Sequence, residues 1–493
     1  MRIKNISRYL SAVAGLTLVA AIGYPGFGRG SVAPVSAAAP LIKPNIVLIL
    51  TDDESMDAVA KMPYVGTRPD WINLNQAFIE NSLCCPSRSA ILSGQFDTHN
   101  GVGNNSQAKN LNDTQTLPVW LQQAGYQTAL IGKYLNGYGE DARGPYIPPG
   151  WNDWQVPYTP NLYGQYNYPL YSNGTIENHG TLAADYEPDV LAGKAEAFIA
   201  ANAAKPFFMY FAPTATHSPW RASPSRQGMF KTTPVTHTPD FNEADVSDKP
   251  AWISSRPLLT ASDIALQDNN RRKEWAGAVS IDDTVKRIDA ALTTAGVFNN
   301  TVEIFMTDNG YTFGEHRWRT KRCEYEECGR TPMLIRYPGL AAKVDNHLVT
   351  NVDMASTITE IAGATPAIPQ DGKSFLPFVL GTSTTPIRNS LLLHWPGGNS
   401  NGLPGKTDSI PQFWGVRTPN WKYVEIDTGE VELYNEIADP YELHNHANDS
   451  AYATRLTDMK SQLNALKAQA GAATAARVPW SFTSGALPTI DLD

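Results

Sequence analysis

Four short apolar runs constrain this chain more than any other feature. They cover residues 45–51, 127–131, 207–211 and 302–307. Each is nearly continuous in Ile, Val, Leu, Phe or Met rather than alternating with polar residues, which is the pattern of a parallel strand buried on both faces. Helical stretches at 117–124, 190–203 and 275–295 lie between them. Strand and helix alternate, so the chain is expected to form an α/β fold, a mostly parallel sheet sandwiched by helices.

The residues that follow these runs are polar and chemically distinctive. The first run ends in Asp52-Asp53, the second in Gly132-Lys133 and the fourth in Asp308-Asn309-Gly310. The third leads into Thr216-His217-Ser218-Pro219. Any one of these is ordinary turn chemistry. Open α/β sheets, however, bind their ligands beyond the carboxyl ends of the strands. The four segments therefore predict one site built from Asp, Lys, His and Asn side chains.

A chain of 493 residues exceeds one ordinary core. Residues 1–39 read as a signal peptide. Arg2, Lys4 and Arg8 precede an apolar stretch at 10–23, and Ala37-Ala38-Ala39 offers a small-residue cleavage site. That stretch is shorter than the ~20 residues needed to span a bilayer, so an exported protein without a stable membrane span is expected. Residues 40–385 are assigned to one larger α/β domain that carries the expected site. A hairpin signal at 422–426 and 431–434, followed by a helical stretch at 451–472, predicts a smaller antiparallel α+β domain over 386–493. The segments 145–171 and 222–257 read as irregular insertions, the first rich in aromatic residues such as Tyr163. A net charge of −9 with no long basic run argues against nucleic-acid partners. Four cysteines are too few for a disulfide framework, although Cys323 and Cys328 are close enough to pair.

The run Leu83-Cys84-Cys85-Pro86-Ser87-Arg88-Ser89 carries the sharpest chemical signal. It precedes a helix start near Ser89, so Cys84 would sit by unpaired backbone N–H groups suited to an anion. The spacing Cys-x-Pro-Ser-Arg resembles the signal by which sulfatases mark a cysteine for oxidation to formylglycine. Further segments keep that family's order: Thr51-Asp52-Asp53, Gly132-Lys133-Tyr134-Leu135-Asn136, His217-Ser218-Pro219-Trp220, Ser280-Ile281-Asp282-Asp283, Asp308-Asn309-Gly310-Tyr311 and Lys321-Arg322. The chain thus resembles sulfatases of the alkaline-phosphatase superfamily, and more narrowly the N-acetylglucosamine-6-sulfatases, which share the Lys-Tyr-Leu-Asn form.

The resemblance implies an alkaline-phosphatase-like fold and hydrolysis of sulfate esters on a sulfated carbohydrate or aryl sulfate. It implies that Cys84 is converted by a formylglycine-generating enzyme, and that the hydrated aldehyde is the nucleophile. Arg88 would hold that hydrate, Lys133 and Lys321 would bind sulfate oxygens, and His217 would protonate the leaving alcohol. His316 is a weaker candidate for a substrate or catalytic role. Asp52, Asp53, Asp308 and Asn309 are hard oxygen ligands. With the modified Cys84 they would hold one divalent cation, calcium rather than magnesium. Two other readings stand beside this one. A phosphomonoester or phosphonate-ester hydrolase of the same superfamily would use similar sheets and metals, but a different nucleophile does not need the aldehyde signal. A catalytically inactive glycan-binding protein could use the 12 Trp and 21 Tyr residues as sugar platforms, but would not need the metal and lysine set.

Overall fold

The computed structural model describes residues 43–140, 144–399 and 409–472. The expected signal peptide lies outside the described residues. A ten-stranded mixed sheet forms the centre. Its strands are β1 (Asn45–Thr51), β2 (Ile72–Phe78), β3 (Gln127–Gly132), β4 (Asp153–Pro157), β5 (Pro169–Ser172), β6 (Thr175–Asn178), β7 (Phe207–Ala212), β8 (Thr301–Thr307), β9 (Met333–Arg336) and β10 (Lys343–Thr350). They run in the order β10-β2-β9-β8-β1-β7-β3-β4-β5-β6. The four strands expected from sequence are the adjacent parallel set β8-β1-β7-β3. Every residue of β1, β7 and β8 is buried.

Alternate residues of these strands feed two cores. Ile46, Leu48 and Leu50 of β1 join one apolar cluster with Ile91 and Leu92 of α1 (Cys84–Ser93), Trp120 and Leu121 of α2 (Leu117–Gln123) and Ile358. Val47 and Ile49 point the other way, toward Leu191 and Phe198 of α3 (Glu187–Asn202) and Ile281, Val285 and Ile288 of α4 (Ala261–Thr294). Truncating one such buried Leu or Ile to Ala costs ~2–5 kcal/mol, so the two cores hold the strand ends in a fixed register.

Three differences from the sequence expectation have physical reasons. Helix α4 begins at Ala261, well before 275, because Thr260 and Asp263 form a reciprocal capping box that starts it earlier. The segment 145–171 is not wholly irregular: β4 and β5 within it, followed by β6, widen the sheet at its edge. Helix α1 starts at Cys84 itself, with Leu83 as the extended residue before it, rather than near Ser89.

A second, antiparallel sheet follows, made of β11 (Leu391–Trp395), β12 (Phe413–Arg417), β13 (Trp421–Ile426) and β14 (Val431–Asn435). Strands β13 and β14 are the expected hairpin. Helix α5 (Ala453–Gln469) packs Met459 and Leu463 against Val416, Tyr423 and Leu433. Phe78, Trp252, Trp318 and Tyr325 share an apolar cluster with Leu391, Trp395, Phe413 and Val424. Cys323 and Cys328 form a disulfide.

Candidate active site

The strand order decides where the polar residues meet. At the carboxyl end of β1, Asp52 and Asp53 lie between Asp308-Asn309 leaving β8 and the turn carrying His217 after β7. Lys133 leaves β3 on the far side of β7. Gly132 makes that exit possible. Its φ is +124°, and a Cβ there would fall 2.0 Å from the carbonyl oxygen of Ala212. Asp53 and Thr216 also adopt left-handed backbone, with φ of 57° and 79°. Strained non-glycine residues of this kind persist where the surroundings over-determine them. Thr216 is tied by its hydroxyl, which donates to the carbonyl of Asp52 at 2.7 Å.

Helix α1 brings in the cysteine and arginine from the other direction. Cys84 is its first residue, and Arg88, one turn later, faces the same side. Arg88 Nε donates to Asp308 Oδ2 at 2.8 Å, and one terminal nitrogen donates to the carbonyl of Lys133 at 3.0 Å. Lys133 Nζ lies 2.7 Å from Asp52 Oδ2. Lys321 comes from the loop after β8, pinned where Thr312 and Thr320 bond each other three times. Its Nζ lies 2.5 Å from Asp53 Oδ1 and 2.8 Å from Cys84 Sγ. The sulfur is also 3.8 Å from Asp52 Oδ1 and 4.0 Å from Asp53 Oδ1. Cys84, Arg88, Lys133, His217, Lys321, Asp52, Asp53, Asp308 and Asn309 are therefore brought into one cluster, buried except for a partly exposed His217.

The charges are balanced but heavily desolvated. Burial raises the carboxyl pKa of Asp52, yet Lys133, His217 and Arg88 outweigh it and hold the group below its ordinary range. Burial acts on Asp53 in the same way and is outweighed by Lys321 and His217. Burial would lower Lys133 and Lys321, but Asp52 and Asp53 keep both ammonium groups charged. The Cys84 thiol is pushed up to about 11 by burial, with Lys133 and Lys321 offsetting only part of this. An unmodified Cys84 is thus a protonated thiol at neutral pH and a poor nucleophile.

His217 places Nε2 3.4 Å from Asp53 Oδ2 and Nδ1 2.7 Å from the carbonyl of Ser218. Two acceptors on one ring favour the protonated form, while burial pulls the pKa below its ordinary value and Asp53 and Asp52 oppose it. Tyr163 stacks on this ring at 3.9 Å and 11°, and Lys133 Nζ lies 4.9 Å from the centre of the Tyr163 ring. The Tyr163 hydroxyl accepts from Asn136 Nδ2 at 2.5 Å, and the Asn136 backbone N–H meets the Cys85 sulfur at 3.0 Å. Sequence reasoning does not reach the contact with Tyr163. The aromatic richness of 145–171 flags the segment, but nothing in the order of residues says which ring meets His217. His316 sits elsewhere: it is buried, bonds Glu243 at 2.7 Å and stacks on Tyr325.

The donor set suits a hard cation. Potential ligand atoms of Asp52, Asp53 and His217 lie within 4.8 Å of one another, as do those of Asp52, Cys84 and Asp308. The amide oxygen of Asn309 is buried without a hydrogen-bond partner, an orphan acceptor beside three carboxylates.

Comparison with known proteins decides the family. The sulfatase family model matches residues 44–364, which contain every residue of the cluster. This chain belongs to the sulfatase family. The sulfatase is thus a sulfuric ester hydrolase. A second model, the C-terminal region of N-sulphoglucosamine sulphohydrolase, matches residues 314–469. The sulfatase is 33% identical over 462 residues to an N-acetylglucosamine-6-sulfatase of Homo sapiens, covering 85% of this chain and 83% of the relative. In structure it is similar to a protein solved in complex with its substrate D-glucosamine-2-N,6-O-disulfate, with a TM-score of 0.74 and 24% identity. That match covers 88% of this chain and 99% of the other. The phosphonate monoester hydrolase of Agrobacterium radiobacter shares the fold at a TM-score of 0.69 and 19% identity, over 87% of this chain and 96% of its own.

Proposed function

We propose that this sulfatase removes sulfate from sulfated amino sugars, with 6-O-sulfated N-acetylglucosamine as the preferred unit, through a formylglycine formed from Cys84. The observation that carries the reading is the placement of Cys84 Sγ, 2.8 Å from Lys321 Nζ and about 4 Å from two Asp carboxylates. That sulfur stands where the oxygens of a hydrated aldehyde would be. The human N-acetylglucosamine-6-sulfatase relative and the neighbour bound to a 6-O-sulfated glucosamine support the substrate class. The shared fold with a phosphonate monoester hydrolase means that architecture does not separate sulfur from phosphorus esters. The family match and the Cys84 signal favour sulfur.

In this reading a formylglycine-generating enzyme converts Cys84, and the residue so formed would supply, as its hydrate, the hydroxyl nucleophile for the sulfate ester. Arg88 is fixed by Asp308 and the Lys133 carbonyl, so it can hold that hydrate without moving. Lys133 and Lys321 bind the sulfate oxygens and offset the charge that develops on them. His217, held by the Ser218 carbonyl and the Tyr163 ring, delivers a proton to the leaving C6 oxygen.

The residues present fit a divalent cation, and calcium suits their hard oxygens. Asp52, Asp53, Asp308, Asn309 and the modified Cys84 would hold it. It would supply Lewis-acid stabilisation of the nucleophile and the sulfate. Three carboxylates already balance Arg88, Lys133 and Lys321, so a dication makes the site formally positive, as an anionic ester requires. Export fits the basic and apolar amino terminus, and the Cys323–Cys328 disulfide suits an oxidising compartment. Among the described residues no helix is long and apolar enough to cross a membrane.

The test is a panel of defined sulfated monosaccharides and an aryl sulfate, assayed for released sulfate. The expected result is the highest kcat/KM on the 6-O-sulfated amino sugar. Faster cleavage of 2-O- or 4-O-sulfated sugars, or of the aryl sulfate, would overturn the substrate assignment.

A further inference from the structure

His316 stays outside the catalytic cluster but belongs to a second group of ligand-type side chains. One of its ring nitrogens and carboxylate oxygens of Asp240 and Glu327 lie within 4.8 Å of one another. Three segments supply them. Asp240 lies between β7 and α4, His316 in the loop after β8, and Glu327 in the short helical turn Glu326–Gly329. Main-chain bonds stitch the first two together: the His316 N–H donates to the Asp240 carbonyl and the Asn242 N–H to the Gly314 carbonyl, both at 2.8 Å.

The polar atoms of this group lack partners. Asp240 and His316 are fully buried. Neither carboxylate oxygen of Asp240 accepts a hydrogen bond, Glu327 Oε2 accepts none, and His316 Nε2 makes none. Among the described residues no Lys or Arg pairs with Asp240 or Glu327, whereas neighbouring Glu315 has Arg271 at 2.5 Å and Glu243 has Lys249 at 3.5 Å. Buried polar groups are normally hydrogen-bonded, and buried charges are paired or coordinate a metal.

The imidazole indicates what is needed between them. His316 Nδ1 lies 2.7 Å from Glu243 Oε2. A carboxylate behind one ring nitrogen holds the proton there and leaves the other nitrogen's lone pair for a metal. A protonated Nε2 would instead donate to one of the carboxylates, and it makes no such bond. Tyr325 stacks on the ring at 3.9 Å and fixes its plane. One imidazole and two carboxylates suit zinc, whereas calcium takes oxygen ligands.

We propose that Asp240, His316 and Glu327 form a second metal site, sharing no residue with the catalytic cluster, which binds one zinc ion. Glu327 is only partly buried, so water can reach the ion and complete its coordination. The ion ties the loop that carries Lys321 to the segment around Asp240 and takes no part in the sulfur chemistry. Glu243 is a positioning residue for His316. None of this depends on the substrate reading.

The experiment strips the mature enzyme with a chelator, reloads it with calcium and titrates it with zinc by calorimetry, with melting curves alongside. The expected result is one zinc per chain that leaves calcium in place, and a Tm above that of the calcium-loaded enzyme. Asp240→Asn and His316→Ala should lose that zinc and its effect on Tm. Asp53→Ala, in the catalytic cluster, should keep both. Glu243→Gln should weaken zinc binding ~10–100-fold, and it tests the site even where the first two variants do not fold. A purely hydrogen-bonding role for these side chains would lower Tm in the variants equally with and without zinc, which overturns the proposal. So does no zinc uptake by the calcium-loaded enzyme, zinc that exchanges with calcium or is lost in Asp53→Ala, or an affinity unchanged in Glu243→Gln.

Discussion

Lys321 holds its ammonium nitrogen 2.8 Å from the sulfur of Cys84 and 2.5 Å from Oδ1 of Asp53. One side chain, from a loop more than two hundred residues downstream, thus bridges the start of α1 and the end of β1. The charge it carries is kept by Asp53 against the cost of burial. Lys321→Met keeps the length and removes the charge. Loss of one preorganised donor of this kind should lower kcat by ~10²–10³-fold. Steady-state kinetics check it, and a variant with near-native kcat would remove Lys321 from the mechanism.

The two adjacent cysteines should separate cleanly. Cys84 faces the carboxylates and Lys321, whereas Cys85 packs in the apolar core and meets Asn136. Cys84→Ala should abolish turnover with little change in thermal unfolding. Cys85→Ala should cost ~1–2 kcal/mol of stability and retain measurable activity. Parallel melting curves and sulfate-release assays distinguish the two.

Metal removal should lower both activity and stability. A cation bound to the folded state alone adds stability by mass action. Exhaustive chelation should therefore reduce Tm and turnover, with calcium restoring both. In Asp53→Ala the calcium-dependent rise in Tm should shrink or vanish, because a ligand and the partner of Lys321 and His217 are lost together. Calorimetry with and without added calcium reads this directly.

Glu187 provides a pH test away from the cluster. It is fully buried at the start of α3, and the backbone N–H of Thr214 donates to it at 3.1 Å. Burial raises its pKa to about 8, with the Thr214 contacts opposing only in part. The folded state thus keeps a proton that the unfolded state releases near 4.5. This contribution to stability is complete below 4.5 and is lost as pH rises through about 8. Glu187→Gln should flatten the fall in stability between those values, as measured by denaturant unfolding at several pH values.

The legible part of the fold is the part buried on both faces. Strands β8, β1, β7 and β3 stand out because a continuous apolar run bounded by polar turn residues is the mark of a strand covered on both sides. Strand β2, Ile72-Asn73-Leu74-Asn75-Gln76-Ala77-Phe78, escapes sequence reasoning because its two Asn and a Gln dilute the signal. Strands β4 and β5, near the edge strand β6, carry Pro157 and Pro169, which read as breakers. At the site, Asp52, Lys133 and Asp308 are visible as strand-end residues. The stacking of Tyr163 on His217 and the left-handed backbone of Asp53 are not, because both depend on how distant segments pack.

The most direct test is the mass of the peptide carrying Cys84 in fully active protein. The mechanism predicts that Cys84 has lost its sulfur and gained an aldehyde oxygen, while Cys85 remains a thiol. An unmodified thiol at Cys84 in enzyme with full specific activity would contradict it.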